Sequence, residues 1–397
     1  MQAVTDSWEQ TNNDLFTRKS QVVISIVRSD GRIPMITDDL LSSVSFTKSG
    51  DILSGSLTND KLTFTALNYR NWLTYDETVA HTVYENARVD VTIGFMDAEL
   101  SGYDSIRGGV YYVIDVSFDS NRRKFTFNCG TILAFMTERC DASIIGTTRN
   151  AYSYVQDIIE QANESDGVPS SDIQINCDAD LLRGITIEIK EDDIYTLAEA
   201  LQLIANAAGC ILYVDRQGVI QMVTLPTTAQ NYTLTTKFQY DPMTIEYIPP
   251  IGNIILYYNH GVADAYMEEP NNGGELSVTN PILNDNNRAI ALVQSMYNAL
   301  YLSRRRFKAR LRFDPKLDIF DIIAVPNGEN VDVTNQASQV ARVEPACITS
   351  INVTYNGAWK GNIECVSVNA TLPRLRIMDL ERMTLEQLES MTINQIT

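Results

Sequence analysis

Positive charge gathers at one place in the chain, residues 303–313, where Arg306, Lys308, Arg310 and Arg312 alternate with Phe307, Ala309, Leu311 and Phe313. In an extended strand this spacing sends the four cations to one face and the four apolar side chains to the other. Like charges so placed repel unless something compensates them, so the chemistry on offer is ionic. Three uses follow: a solvated face paired with carboxylates on adjacent strands, an acidic protein interface, or a path for nucleic-acid phosphates.

Catalytic chemistry has far less to draw on. His81 and His260 are the two histidines, and each stands alone. No zinc-protease, nucleophile-elbow, P-loop or dinucleotide-binding glycine pattern occurs. Glu191, Asp192 and Asp193 supply negative charge where a helix starts. Asp318 and Asp321 lie among apolar residues without a glycine-rich calcium loop. The run 284–287 opens like a calcium loop at Asp285, but places Ile290 where the loop needs its Gly and Met296 where it needs its bidentate Glu. We therefore expect no catalytic, cofactor-binding or metal-ligating residues, and no cofactor.

The 397 residues exceed what one hydrophobic core organises, giving an expectation of two to four domains. With 44% apolar and 20% charged residues the composition is that of a globular protein, and the formal charge of −19 makes any contact with DNA a matter of a local patch. No run approaches the length of a membrane span, and residues 1–9 do not resemble a secretory signal. The six cysteines are scattered without a C-x-x-C pair and read as buried, reduced thiols.

Short runs rich in Val, Ile, Thr and aromatics mark strands near 20–27, 44–47, 61–67, 88–95, 109–118 and 123–129. The period then changes. Tyr154, Val155, Ile158, Ile159 and Ala162 share a helical face, a second helix is expected over 194–208 and closed by Gly209, and 211–223 reads as a hairpin. Strands near 244–248 and 253–258, a helix near 287–303, and strands near 307–313, 319–325, 348–355 and 362–368 complete the pattern. The expected fold is mainly β, multi-domain, with two β-barrel-like domains flanking a small α+β domain. The segments are an arm (1–19), a first β domain (20–138), the α+β domain (139–227), a β-rich connection (228–290), a second β domain with one helix (291–370) and a tail (371–397).

The tail reads as three octads starting at Pro373, Glu381 and Glu389, with large apolar residues at the third, fifth and eighth positions. Among them are Met383, Leu385, Leu388, Met391, Ile393 and Ile396. A short amphipathic helix and an extended multi-subunit interaction motif are both compatible with this pattern.

In order along the chain, residues 54–64, residues 196–205 leading through Gly209 to Val214-Asp215-Arg216-Gln217-Gly218, residues 314–323 and residues 348–355 resemble bacteriophage tail and baseplate hub proteins, including the N-terminal hub part of siphophage tail-tip proteins. The family often carries Gly-Asp where this chain has Phe320-Asp321. The octads resemble repeats that follow some phage hubs, without their Trp. The resemblance implies a non-enzymatic virion protein made in the host cytoplasm. It would be a homotrimer whose two barrel-like domains per subunit form a pseudo-sixfold ring between the hexameric tail tube, or a distal tail protein, and a threefold tip. A fibre, spike or tip protein would be held through the C-terminus, with transient contact to exiting DNA. A receptor-binding or adaptor protein of the tail tip and a tail-associated cell-wall hydrolase are the alternatives. Truncation after Thr371 is expected to leave a folded body that no longer retains its distal partner, because an apolar stripe of this kind marks an interface; complete tails built from truncated protein, seen by electron microscopy, would exclude that role.

Overall fold

The computed structural model describes residues 20–368 apart from positions 30, 54, 70–72, 74–83, 97–102, 122, 143, 191–194, 226–231, 235–237, 249–250, 267–273, 302–304 and 332–339. The fold is mainly β with an α+β insert. Twelve strands from both ends of the chain join in one open sheet. The two β regions are therefore not separate closed barrels: the last strands of one pair directly with a strand of the other, and they share one hydrophobic core.

Ten of these strands form a repeat. The N-terminal module comprises Leu41–Ser49, Asn59–Leu67, Arg88–Met96, Tyr103–Phe118 and Lys124–Gly130. The C-terminal module comprises Thr244–Tyr247, Arg305–Leu311, Ile322–Val331, Val340–Tyr355 and Trp359–Ser367. In each, the first strand pairs with the second, the second with the fifth, the fifth with the fourth and the fourth with the third, always antiparallel. The fourth strand has 16 residues in both modules and changes partner midway. A bulge interrupts it at the same place: Val113 and Asp115 oppose Cys129 and Asn128, while Ile348 and Ser350 oppose Cys365 and Glu364. Bulges bend and twist a strand, so the shared position marks a shared curvature. Ser20–Val27 and Met35–Ile36 extend the N-terminal module alone.

Period-two patterning explains the strands. In Asn59–Leu67 the residues Asp60, Leu62, Phe64 and Ala66 turn inward, and in Trp359–Ser367 every second residue from Trp359 is buried. The modules join where Leu41–Ser49 pairs with 350–355, from Ser350 opposite Ser49 to Tyr355 opposite Val44. Phe46, Tyr355 and Trp359 cluster at this joint, with ring centroids 4.8–6.1 Å apart.

The insert has its own core. Helix Ala151–Glu164 buries Tyr154, Val155, Ile158 and Ala162. The second helix spans Leu197–Ala208, starting later than the expected position 194. Thr196 caps it through a reciprocal box with Glu199, and Gly209 ends it at φ 64°. Cys210–Val214 and Ile220–Thr224 make the expected hairpin, with Ile175–Cys177 added in parallel. Strands Gly261–Tyr266 and Gly274–Asn280, which the expected pattern did not include, flank Ile251–Tyr258, and helix Asn286–Tyr301 packs on that sheet within the same core.

Between the second and third strands of the C-terminal module runs a buried loop, 312–321. Phe320 sits there at φ 64°, a conformation a bulky residue rarely adopts. Backbone bonds between Phe320 N–H and Ile348 O (2.8 Å) and between Ile348 N–H and Asp321 O (3.0 Å) hold it. Its ring lies on Gly50 and packs 5.4 Å from Tyr213. A methyl at position 50 would meet the ring tip at 2.3 Å. Gly50→Ala should thus cost about 1–3 kcal/mol by overpacking, and little once Phe320→Ala has removed the ring. A double-mutant cycle read by urea unfolding measures this coupling, and additive costs would show that the contact carries none.

Candidate functional site

Two adjacent strands, a loop and a hairpin tip bring charge together beside the joint. Lys48 arrives on the first strand of the N-terminal module, Asp60 on the second, Asp318 on the buried loop, and Arg216 on the hairpin tip of the insert. The Lys48 ammonium lies 3.0 Å from Asp318 Oδ1 and 3.2 Å from Asp60 Oδ2. Arg216 Nε donates to Asp318 Oδ2 at 3.0 Å, and its other nitrogens donate to the carbonyls of Leu317 (2.7 Å) and Arg107 (3.3 Å). One carboxylate thereby bridges two modules and the insert. Burial disfavours its ionisation, but Lys48 and Arg216 outweigh burial and bring the Asp318 carboxyl down to about 2. Burial, with Asp318 close by, pushes Asp60 above the usual carboxylate range against the pull of Lys48.

The chemistry of this cluster is structural. The cavity beside it, among Phe46, Lys48, Arg216, Asp318 and Trp359, holds about 30 Å³, whereas ligand pockets run to about 300–1,000 Å³. A wider open groove of about 470 Å³ along helix Ala151–Glu164 is lined by Tyr152, Ile159, Glu160, Glu164 and Cys177, and burial, with Asp178 beside it, pushes the Cys177 thiol up, away from a reactive thiolate.

The basic strand follows its alternation. Phe307, Ala309, Leu311 and Phe313 are buried, while Arg306 and Arg310 are exposed and Lys308 and Arg312 half-exposed. Compensation comes from within the chain. Lys308 Nζ lies 2.8 Å from Glu246 and Arg310 3.5 Å from Asp241, both in the segment that pairs along this edge, and Arg306 stands opposite Glu246 in register. The Lys308 hydrogen bond is the main reason that the Glu246 carboxyl lies below its usual range. Arg305, which the sequence reading passed over, points inward to a buried ion pair with Glu344. Its inward parity with Phe307 was the available signal.

The other candidates are dispersed. His260 is exposed in the turn after Ile251–Tyr258. His81, the 191–193 acids and the octad residues Met383, Leu385, Leu388, Met391, Ile393 and Ile396 lie outside the described residues. Asp321 accepts a bond from the Asp318 N–H at 2.7 Å and so shapes the loop. All six cysteines are free thiols. Among the described residues no three His, Cys, Asp or Glu side chains are placed to hold a metal ion, and no helix is long and apolar enough to cross a membrane.

Asp318→Asn should destabilise the protein at pH 7 by about 3 kcal/mol, since it leaves two buried cations short of their shared anion. The sign with pH follows from the lowered carboxyl: its stabilisation is present above the unfolded value of 3.8 and is lost as pH falls toward about 2. The gap in urea midpoint between wild type and variant should therefore narrow between pH 4 and about 2; a gap independent of pH would remove Asp318 ionisation as its cause.

No protein-family model and no curated protein sequence matches the chain. Solved structures do. The chain is similar to the 43 kDa tail protein of prophage MuSo2 from Shewanella oneidensis, with TM-score 0.54, 14% identity, and 88% of this chain aligned to 98% of that one. A tail protein from Neisseria meningitidis MC58 gives TM-score 0.52 and 9% identity over 87% of this chain and 96% of the other. Prophage tail protein gp18 from Listeria monocytogenes EGD-e gives TM-score 0.52 and 10% identity over 91% and 98%. At these identities the likeness lies in the fold along nearly the whole chain: this protein has the fold of tail proteins.

Proposed function

We propose that the chain is a structural, non-enzymatic phage tail hub protein: three copies, each contributing two β modules, form a pseudo-sixfold ring that joins the tail tube or a distal tail protein to a threefold tip. The observation that carries this reading is the five-strand module that occurs twice, with its bulge in register, in one continuous sheet. A chain with two equivalent modules in threefold assembly matches a sixfold neighbour on one side and a threefold neighbour on the other, which is a geometric role that needs no catalytic residue. The fold shared with tail proteins supports a place in the virion tail. The octads hold the fibre, spike or tip protein. The face of Arg306, Lys308, Arg310 and Arg312 meets acidic groups of a neighbouring protein, with transient contact to exiting DNA as the competing use of the same cations. Native mass spectrometry of purified protein and of isolated tail tips should give three copies. A stable monomer in both would overturn the assignment.

A further inference from the structure

The open groove along helix Ala151–Glu164 has the form of a place for one more strand. Opposite the helix it is bounded by Ile175–Cys177, which among the described residues pairs on one side only, in parallel with residues 220–222. Extended segments add to such an edge, the main chain supplying affinity and alternate side chains specificity. Tyr152, Ile159 and Ile175 line the groove and are each half-buried, an apolar surface within reach of a ligand. Glu160 and Glu164, exposed on the helix, stand at the same groove. Their surroundings are acidic throughout: residues 150–182 hold seven Asp and Glu and no Lys or Arg. The cations that flank this stretch are committed, Arg149 to Asp157, and Arg183 to Asp180 at 3.0 Å and to the face of Tyr152 at 4.7 Å. A groove of this kind takes an extended segment that combines apolar side chains with positive charge.

The chain carries one. Arg-Leu-Arg occurs twice in the sequence, at 310–312, already engaged at the large sheet, and at 374–376, where Ile377 follows. Arg374, Arg376 and Arg382 are all the cations of residues 369–397. Extended, the first two take one side of the segment, and Leu375 and Ile377 the other. We propose that residues 374–377 of the C-terminal segment dock in this groove beside Ile175–Cys177, with Leu375 and Ile377 on the apolar lining and the two arginines in the acidic field of Glu160 and Glu164. Docking anchors the start of the tail on the insert and leaves Met383 to Ile396 for the distal partner. A tail held at its root presents those residues from a fixed point, which lowers the ordering cost of capture. The proposal holds whether or not the ring is threefold.

Trypsin tests this on the purified full-length chain, since it cuts after arginine and cleavage of a docked site tracks the fraction that is open. The rates at Arg374, Arg376 and Arg382, read by mass spectrometry, are each divided by the rate at the same bond in a synthetic peptide of residues 369–397, which cancels the enzyme's sequence preference. Arg374 and Arg376 should be protected about tenfold or more relative to Arg382. If they are cut as readily as Arg382, the segment is not docked and the proposal fails. In the variant Glu160→Lys with Glu164→Lys both changes are exposed, so the urea midpoint should hold while protection falls to the level at Arg382. The near-isosteric Glu160→Gln with Glu164→Gln should lower protection in the same direction by a smaller factor. Protection that survives both variants would show that another surface covers the segment, and would overturn the groove as its site.

Discussion

A β-sheet cannot end without leaving a row of backbone donors and acceptors, and the architecture of this protein is a consequence of where that row is closed. Within the chain the closure is the pairing of Leu41–Ser49 with residues 350–355. It pairs strands about 300 residues apart in sequence, so no local contact can form it. Everything placed around the joint reinforces that one alignment. Phe46, Tyr355 and Trp359 bury its apolar face, while the Tyr355 hydroxyl oxygen lies 2.9 Å from both Asp38 Oδ2 and the carbonyl of Ser20 and shares its one proton between these two acceptors, tying the far N-terminal strand to the same point.

Charge closes the joint's other end. Lys48 belongs to the joint strand, and burying an ammonium without partners would cost several kcal/mol. Asp60 and Asp318 supply the partners, and Asp318 in turn recruits Arg216 from the insert. A requirement created by pairing two modules is thus met by a third element, which fixes the insert in one orientation. The loop that delivers Asp318 also carries Phe320 in a left-handed backbone conformation. A glycine would adopt that conformation freely; here the strain is offset by the ring's burial against Gly50 and Tyr213.

These relations were unevenly legible in the sequence. Strands with clean alternation, such as 61–67 and 307–313, and the capped helix before Gly209 declared themselves, because their signals are local. Strands Gly261–Tyr266 and Gly274–Asn280 did not, since GVADAY turns the small Ala263 inward and leaves Val262 exposed, and GELSVTN sets only Leu276 and Val278 against the core. Arg216 and Asp318 each fell in a stretch that resembles hub proteins, yet nothing local says that they meet. The duplication was hidden for a physical reason. What equivalent positions share is a pleat direction, and Leu62 with Phe307 or Val116 with Ile351 satisfy the same pleat with different side chains. Only Cys129 and Cys365 coincide among the positions that fix the alignment.

The differences between the modules have their own logic. Asp60 and Arg305 occupy equivalent places and are both buried charges, but of opposite sign and with different partners: Asp60 pairs with Lys48, whereas Arg305 pairs with Glu344 and lies beneath the ring of Tyr247, the counterpart of Lys48. Lys48 therefore distinguishes the two first strands: away from the loop holding Asp318 its buried ammonium would be short of its anions, a large penalty, whereas Tyr247 at the equivalent place is largely exposed and makes no such demand.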